Sequence, residues 1–480
     1  MTAADFAAII PIIAIAATSV LVMLIIAFYR CHILTAILTL GGIILSFVTL
    51  ITSYPDLPRQ VTSLIIIDHY AAFYSGLILA ASFFVTALSY GYLEKQGGQR
   101  EEFYILLLLS VLGSMVLVAS SHFASIFLGL EVLSVSLYAL IAYPRSREQN
   151  FEAGIKYLIL AAASASALLF GMALIYAELG TMSLPDIAAK AHAPGATDIF
   201  LLTGTAMIIV GLGFKLAVVP FHMWTPDVYE GAPAPVTALI ASVSKGAVFA
   251  LLLRYFTLID IRSYAVLFSL FAVIAVASMF FGNLLALLQN SVKRILAYSS
   301  IAHLGYLLVA FMASRAYAAK TVSFYLITYF VTIIGAFGII SALSYKEREP
   351  DRIEDYVGMA SRRPLLSGVF TAMLFSLAGI PLTAGFIGKF YIITAGVNSL
   401  LWLLVIVLLI NSAIGLYYYL RIIVAIYEPP IDKESFPLAS TISLSGGLAL
   451  AVLLALLIWM GVYPPPLIDM INKMMEGNFV

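Results

Sequence analysis

Apolar residues run along this chain in long stretches, separated by short clusters of Pro, Gly and charged residues. A run of roughly 20 apolar residues is what an α-helix needs to cross a hydrocarbon layer. On that measure the sequence predicts about 14 transmembrane helices, the first centred near residue 17 and the last near residue 450. The first run, Phe6 to Phe28, is too long for a signal-peptide core and lacks a basic stretch before it, so it is expected to be a retained helix. Almost nothing is left over for a soluble domain. The expected fold class is an all-α polytopic membrane protein.

Two of the runs are broken in the same way. GLGFKLAVVPFHMW holds Lys215 and then Pro220, and SLAGIPLTAGFIGKF holds Pro381 and then Lys389. Proline removes a backbone donor and clashes with the preceding turn. At membrane depth such a break is tolerated only where protein or a water-filled cavity satisfies the freed groups. Two matching breaks suggest an internal repeat of the transporter type. The organisation expected is three N-terminal helices (1–101), a five-helix repeat (102–257), a second, inverted five-helix repeat (263–427), and a C-terminal helix and tail (428–480).

Composition agrees, with 62% hydrophobic and 10% charged residues. The net charge of zero is uninformative, but its distribution is not. Odd-numbered connections carry twice as many Arg and Lys as the even ones and the tails. By the positive-inside rule the odd side is cytoplasmic and both termini are periplasmic. Cys31 is the only cysteine, which excludes an internal disulfide, a Cys-ligated iron–sulfur cluster and a four-cysteine zinc site. There is no dinucleotide or P-loop glycine motif, no metal-ligand cluster and no basic tract for nucleic acid. The polar connections SYPDLPRQVTS, SLPDIAAKAHAPGATD, YKEREPDRIEDYVGMASRRP and YEPPIDKESF read as solvated surface loops. The third, the most charged, could instead dock a soluble partner.

Against this background five ionisable residues stand out: Glu131, Lys156, Lys215, Lys245 and Lys389. A charge near the middle of a membrane helix costs roughly 2.5–3.5 kcal/mol on insertion scales and usually marks an ion or proton path. A desolvated lysine can release its proton, whereas arginine stays charged. Structural alternatives exist for each. Glu131 could lock helices through hydrogen bonds, and Lys156, near a helix end, could snorkel to the interface. Lys245 has Ser242 and Ser244 beside it. His303, flanked by Ser299, Ser300 and Tyr306, could extend a hydrated path or be a satisfied structural histidine. Tyr298 and the run Tyr417, Tyr418, Tyr419 with Arg421 read as an interfacial aromatic belt.

Four segments carry a resemblance. KLAVVPFHMWTPDVYEGAPAPVTALIASVSK (Lys215 to Lys245), FLGLEVLSVSLYAL around Glu131, SVKRILAYSSIAHLGYLLVA (Ser291 to Ala310) and LAGIPLTAGFIGKFY resemble the antiporter-like membrane subunits of respiratory complex I. The similarity runs through essentially the whole chain. The form WTPDVYEGAPAP and a lysine at 389 set it apart from the larger sister subunits. The resemblance implies the membrane part of a proton-pumping NADH:quinone oxidoreductase in a bacterial inner membrane. Glu131 then matches the carboxylate of a Glu–Lys pair with Lys215. Lys245 matches the central lysine, Lys389 the terminal one on the periplasmic side, Lys156 the lysine of the sixth helix, and His303 a histidine region between two half-channels. NADH, FMN, iron–sulfur clusters and quinone would be bound by partner subunits and none by this chain. The partners implied are other complex I membrane subunits, including the sister antiporter-like ones. Rival readings are a cation/proton antiporter subunit of the multi-subunit sodium type, the same subunit in a complex using ferredoxin or a deazaflavin, and a purely structural anchor.

Overall fold

A hydrocarbon layer offers no water to bond backbone N–H and C=O groups, so the apolar runs must close those bonds within themselves as helices. In the computed structural model, which describes residues 2–96, 98–143, 148–191, 199–345, 348–429 and 442–475, they do. Helices α1 (Ala3–Phe28) and α2 (His32–Ser53) are followed by a hairpin of β1 (Arg59–Gln60) and β2 (Ile66–Ile67). Next come α3 (His69–Lys95), α4 (Glu102–Val118), α5 (Phe123–Ile141), α6 (Glu148–Leu179) and the short α7 (Leu184–Ala191). The first break separates α8 (Ile199–Leu216) from α9 (Trp224–Gly231). Helices α10 (Ala234–Leu239) and α11 (Lys245–Ile259) are joined by a π-helical turn over Ile240–Ser244. Then follow α12 (Ala265–Leu287), α13 (Val292–Met312), α14 (Arg315–Leu343) and the one-turn α15 (Met359–Arg362). The second break lies between α16 (Pro364–Ala378) and α17 (Ala384–Asn398), before α18 (Trp402–Tyr427), α19 (Leu444–Val462) and α20 (Pro465–Met475). Among the described residues 12 helical stretches are long and apolar enough to cross a membrane, and α4 and α16 are shorter apolar helices.

Three of these stretches, Ala234–Ile259, Val292–Met312 and Tyr317–Leu343, are buried nearly all round and form the centre of the bundle. Residues on their every face are enclosed, which is why their sequences show no polar stripe. Close packing needs glycine where helices touch: a Cβ on Gly113 of α4 would sit 2.6 Å from the Leu133 backbone nitrogen of α5. Side chains set the helix starts. Asp68 accepts from Ala71 N at 2.7 Å to cap α3, and Ser291 accepts from Arg294 N at 3.1 Å to cap α13.

Loop contacts define two ends. Ile65 bridges to Ser120 and His122 to Ser183 at one end, while Ser291 bridges to Arg352 at the other. The second end carries the odd-numbered, more basic connections.

Several expectations need correction. SYPDLPRQVTS contributes to a folded hairpin: Leu64 just beyond it accepts from Ser125 Oγ at 2.7 Å and from Ser121 N at 3.0 Å. The connection between α14 and α16 is not a solvated loop over its described part. Tyr356 is fully buried, Val292 N donates to Asp351 O at 2.6 Å, and the Glu349 carboxylate is buried against Lys293. Two basic residues assigned to loops are interior. Lys293 lies in the first turn of α13 and Arg254 in α11, where its guanidinium grips Asp68 through two hydrogen bonds of 2.9 and 2.7 Å. In SLPDIAAKAHAPGATD the first part forms α7. Residues 192–198, residues 430–441 of the last polar connection, and Arg145, Arg147, Lys346 and Lys433 of the charge distribution lie outside the described residues.

Candidate functional site

The helix breaks place the lysines. Helix α8 stops at Leu216, Ala217 takes φ +62°, and the chain turns through Pro220 before resuming as α9. Lys215 is therefore in the last turn of α8, 5% exposed, with its Nζ donating to Ser134 Oγ on α5 at 2.6 Å. The ammonium also faces the ring of Tyr157 at 5.4 Å. Trp224, first residue of α9, ties the two half-helices by donating Nε1–H to Phe214 O at 2.9 Å.

Glu131 is one turn before Ser134 on α5, half-buried, with the exposed Leu128, Val132 and Val135 around it. It lies within electrostatic reach of Lys215. Among the described contacts no hydrogen bond or ion pair joins the two, so the structure holds them as neighbours rather than as a closed pair. Lys156 is placed differently. Its Nζ contacts Glu152 Oε1 at 2.7 Å and Asp227 Oδ2 at 2.9 Å, and its side chain is 44% exposed. Arg294 completes that cluster on Asp227 and Glu230, 3.0 and 2.7 Å away.

Lys245 opens α11 and is 1% exposed. Its Nζ donates to Ser300 Oγ on α13 at 2.7 Å, and Tyr329 Oη of α14 donates to the same hydroxyl at 2.7 Å. Ser242, close by in sequence, bonds instead to its own helix at Ala238 O, 2.6 Å. One turn along α13, His303 is buried between two phenols, Nδ1 to Tyr325 Oη at 2.6 Å and Nε2 to Tyr419 Oη at 3.3 Å.

Lys389 sits past Pro381 on α17, 6% exposed. Its Nζ donates to Leu377 O at 3.0 Å, Ala378 O at 2.8 Å and Ser412 Oγ at 2.9 Å. The two carbonyls end α16 and have no helical partner, so the ammonium fills the place of the missing N–H groups at the negative end of that helix. Gly379, at φ +85°, makes room: a Cβ there would lie 3.1 Å from Lys389 Nζ.

The structure thus joins Lys245 and His303 through one face of α13 and sets Lys389 over the ring of Tyr306 at 5.4 Å. Tyr306 Oη accepts from Asn283 Nδ2 at 3.1 Å, and Tyr418 Oη donates to Asn283 Oδ1 at 3.0 Å. The aromatic-belt reading fails for most of its members. Tyr298, Tyr418 and Tyr419 are buried, only Tyr417 is exposed, and Arg421 caps the end of α12 at Leu287 O, 3.0 Å. Ser134, Ser412, Tyr325, Tyr329 and Asn283 are participants that sequence reasoning does not single out. Their signal is weak, since Ser and Tyr are ordinary in apolar helices. No group of three or more metal-ligating side chains occurs among the described residues.

The family model for the NADH:quinone oxidoreductase/Mrp antiporter transmembrane region matches residues 120–415. The NADH-quinone oxidoreductase subunit N of Nitrosospira multiformis is 54% identical over 98% of this chain and 96% of its own length. That of Ectopseudomonas mendocina is 46% identical over 98% and 97%. In the respiratory complex I structure from Thermus thermophilus with bound aureothin, a chain superposes with a TM-score of 0.82 at 31% identity, covering 96% of this chain and 98% of that one. A chain of the Mrp complex from Dietzia has a TM-score of 0.85 at 20% identity over 99% and 97%, a likeness of fold.

Proposed function

The chain belongs to the NADH:quinone oxidoreductase/Mrp antiporter membrane family, among the NADH-quinone oxidoreductase subunit N proteins, and from that premise we propose that its buried lysines and their hydroxyl partners are its proton path. It is a proton-translocating membrane subunit of that enzyme complex.

One observation carries the relay reading. Lys215, Lys245 and Lys389 are each more than nine-tenths buried, yet none forms an ion pair among the described residues. Each Nζ meets a serine hydroxyl instead: Ser134, Ser300 and Ser412. A hydroxyl both donates and accepts, so it can pass a proton either way. A lysine without a fixed counter-ion can exist in either protonation state. A scaffold has no use for three such groups.

The path runs from Lys215 through Lys245 and His303 to Lys389, with Lys156 at the surface cluster feeding it. Glu131 acts by charge. Its carboxylate favours the protonated form of Lys215, and a signal from a neighbouring subunit that weakens this hold releases the proton toward Lys245. Each elementary charge moved against the membrane potential needs about 2.3 kcal/mol per 100 mV. That energy comes from electron transfer in partner subunits, which hold the NADH site, FMN, iron–sulfur clusters and quinone. Sister antiporter-like subunits are its neighbours in the membrane.

Counting α4, and taking α16 with α17 as one broken crossing in the way α8 continues into α9, brings the 12 stretches to 14 crossings, with residues 102–257 and 263–427 as inverted five-helix repeats. The more basic end faces the cytoplasm of a bacterial inner membrane, which puts both termini in the periplasm.

The test is NADH-driven proton uptake in inverted vesicles for wild type and Lys215→Ala, with quinone reductase activity recorded and assembly checked on a native gel. The relay reading expects an assembled complex in which pumping and turnover both collapse. Unchanged pumping and turnover would make Lys215 structural.

A further inference from the structure

Away from the lysine path, a cavity of about 200 Å³ opens to the outside between α14, α17 and α20. Its walls include Phe324 of α14, Tyr391 and Ala395 of α17, and Ile468 and Ile471 of α20, and among the described residues Lys320 of α14 is the charged one in its lining. The space is several times the roughly 30 Å³ that one water occupies in the liquid, and its lining offers water few partners. In a bilayer the material at hand to fill such a space is hydrocarbon.

Lys320 adds an independent observation. It is half-buried and forms no hydrogen bond or ion pair among the described residues. Helix α14 begins at Arg315, so Lys320 is five residues along a 29-residue helix. At 1.5 Å per residue that is roughly 7–8 Å from the helix start, nearer the headgroup boundary than the bilayer centre. An ammonium held there beside an apolar cavity is placed to meet an anion at headgroup depth. Helix α20 forms the outer wall. It buries Leu467 and Ile471 and turns Asp469 and Lys473 outward, the division of faces of a helix lying in the interface.

We propose that this cavity is a specific site for an anionic phospholipid, one acyl chain lying between α14, α17 and α20 and the phosphate resting on Lys320 Nζ. The site has a mechanical consequence. Phe324 packs on Tyr391 with ring centroids 5.1 Å apart, so the chain would wedge the contact between α14 and α17. Helix α17 carries Lys389, and the residue after Phe324 is Tyr325, the partner of His303. The proposal is independent of whether those groups move protons.

The experiment uses the intact complex in nanodiscs with photoreactive phosphatidylglycerol or phosphatidylcholine, each carrying the reactive group in an acyl tail, followed by peptide mapping. The site predicts adducts on residues 317–324, 391–395 and 468–472 with the anionic probe in excess over the zwitterionic one. Lys320→Gln should lower that labelling about fivefold, the worth of one basic residue at an anionic surface. Lys473→Gln, which alters an exposed cation outside the cavity, should leave it unchanged, as should labelling of the lipid-facing side of α2. Equal labelling by both probes, insensitive to Lys320→Gln, would mean bulk lipid only and would overturn the proposal. Absence of adducts would mean that a neighbouring subunit covers the cavity, and would overturn it equally. If Lys320→Gln fails to assemble, the comparison of the two probes on wild type still decides.

Discussion

Removing the Glu349 carboxylate should damage this protein more than removing the whole ion pair to which it belongs. Glu349 and Lys293 are in contact with side chains only 4% and 3% exposed. The carboxylate also accepts from Tyr92 Oη at 2.5 Å and Ala234 N at 3.1 Å. Lys293 donates to Glu230 O at 3.0 Å and Ala232 O at 2.8 Å. The bonds to Glu230 O, Ala232 O and Ala234 N converge on the elbow between α9 and α10, just ahead of the helix that carries Lys245. Glu349→Ala leaves a buried ammonium without its counter-ion, a loss of about 3–5 kcal/mol. The Tyr92 and Ala234 donors are orphaned by the same change, so their cost lies within that range rather than on top of it. In Glu349→Leu with Lys293→Met the charge problem disappears. The two unpaired donors are common to Glu349→Ala, so what the double variant adds is only the lost bonds to the two elbow carbonyls, about 0.5–1.5 kcal/mol each. Membrane complexes denature irreversibly, so the readout is the inactivation rate of purified complex at fixed temperature, together with assembled complex per unit membrane. If the whole loss is felt in the unfolding barrier, Glu349→Ala should speed inactivation by roughly a hundredfold to a few thousandfold, less in proportion to the share felt there, and the double variant far less. If the double variant is as damaged as the two single variants combined, the side chains are uncoupled and the reasoning is wrong.

Other expectations follow from the same contacts. Lys389→Gln keeps a donor for the α16 carbonyls but carries no charge: native gels should show normal assembly while proton uptake is lost, and retained pumping would make Lys389 only a helix cap. Ser300→Ala removes the hydroxyl shared by Lys245 and Tyr329, which should cost about 1.5–3 kcal/mol at the buried ammonium and slow pumping in vesicles with assembly preserved. Asp351, outside the membrane stretches, has its carboxyl pushed above the usual 3.8 by burial, only partly offset by the Ser291 hydroxyl and Lys293. A raised acid favours the folded state below pH 3.8 and loses that contribution as pH rises through the folded value, so Asp351→Asn should flatten the pH dependence of thermal inactivation in that window and leave neutral-pH stability equal or higher. A steeper dependence in the variant would contradict the burial argument.

The fold and much of the site are legible in the sequence because membrane chains punish exceptions. A lysine or a proline inside an apolar run is costly enough to be seen without coordinates, and Lys215, Lys245, Lys389, Pro220 and Pro381 are all visible that way. Lys156, near a helix end, is ambiguous in sequence, and its half-exposed ion pairs explain why. What escapes is chemistry carried by residues that lipid tolerates. Tyr418 and Tyr419 look the same in sequence whether they face headgroups or the buried Asn283 and His303. Ser134 and Ser412 are unremarkable until a lysine from another helix lands on them. Glu349 sits in a connection so polar that its burial could not be guessed, because burial depends on Lys293 arriving from more than 50 residues away in the chain.

The π-helical turn ahead of Lys245 has a consequence of another kind. Lys245 N–H bonds to Ile240 O, five residues back, where an α-helix would reach four. Helices α10 and α11 therefore differ in phase by about one residue, or roughly 100°. That offset decides which way Lys245 points, and with it Arg254 further along the same helix. The face presented to Ser300 and Asp68 is set by counting residues rather than by their identity. Ile240–Ser244 can drift in composition so long as the wide turn persists, but a single deletion there would rotate everything downstream, turning Lys245 and Arg254 away from their partners together.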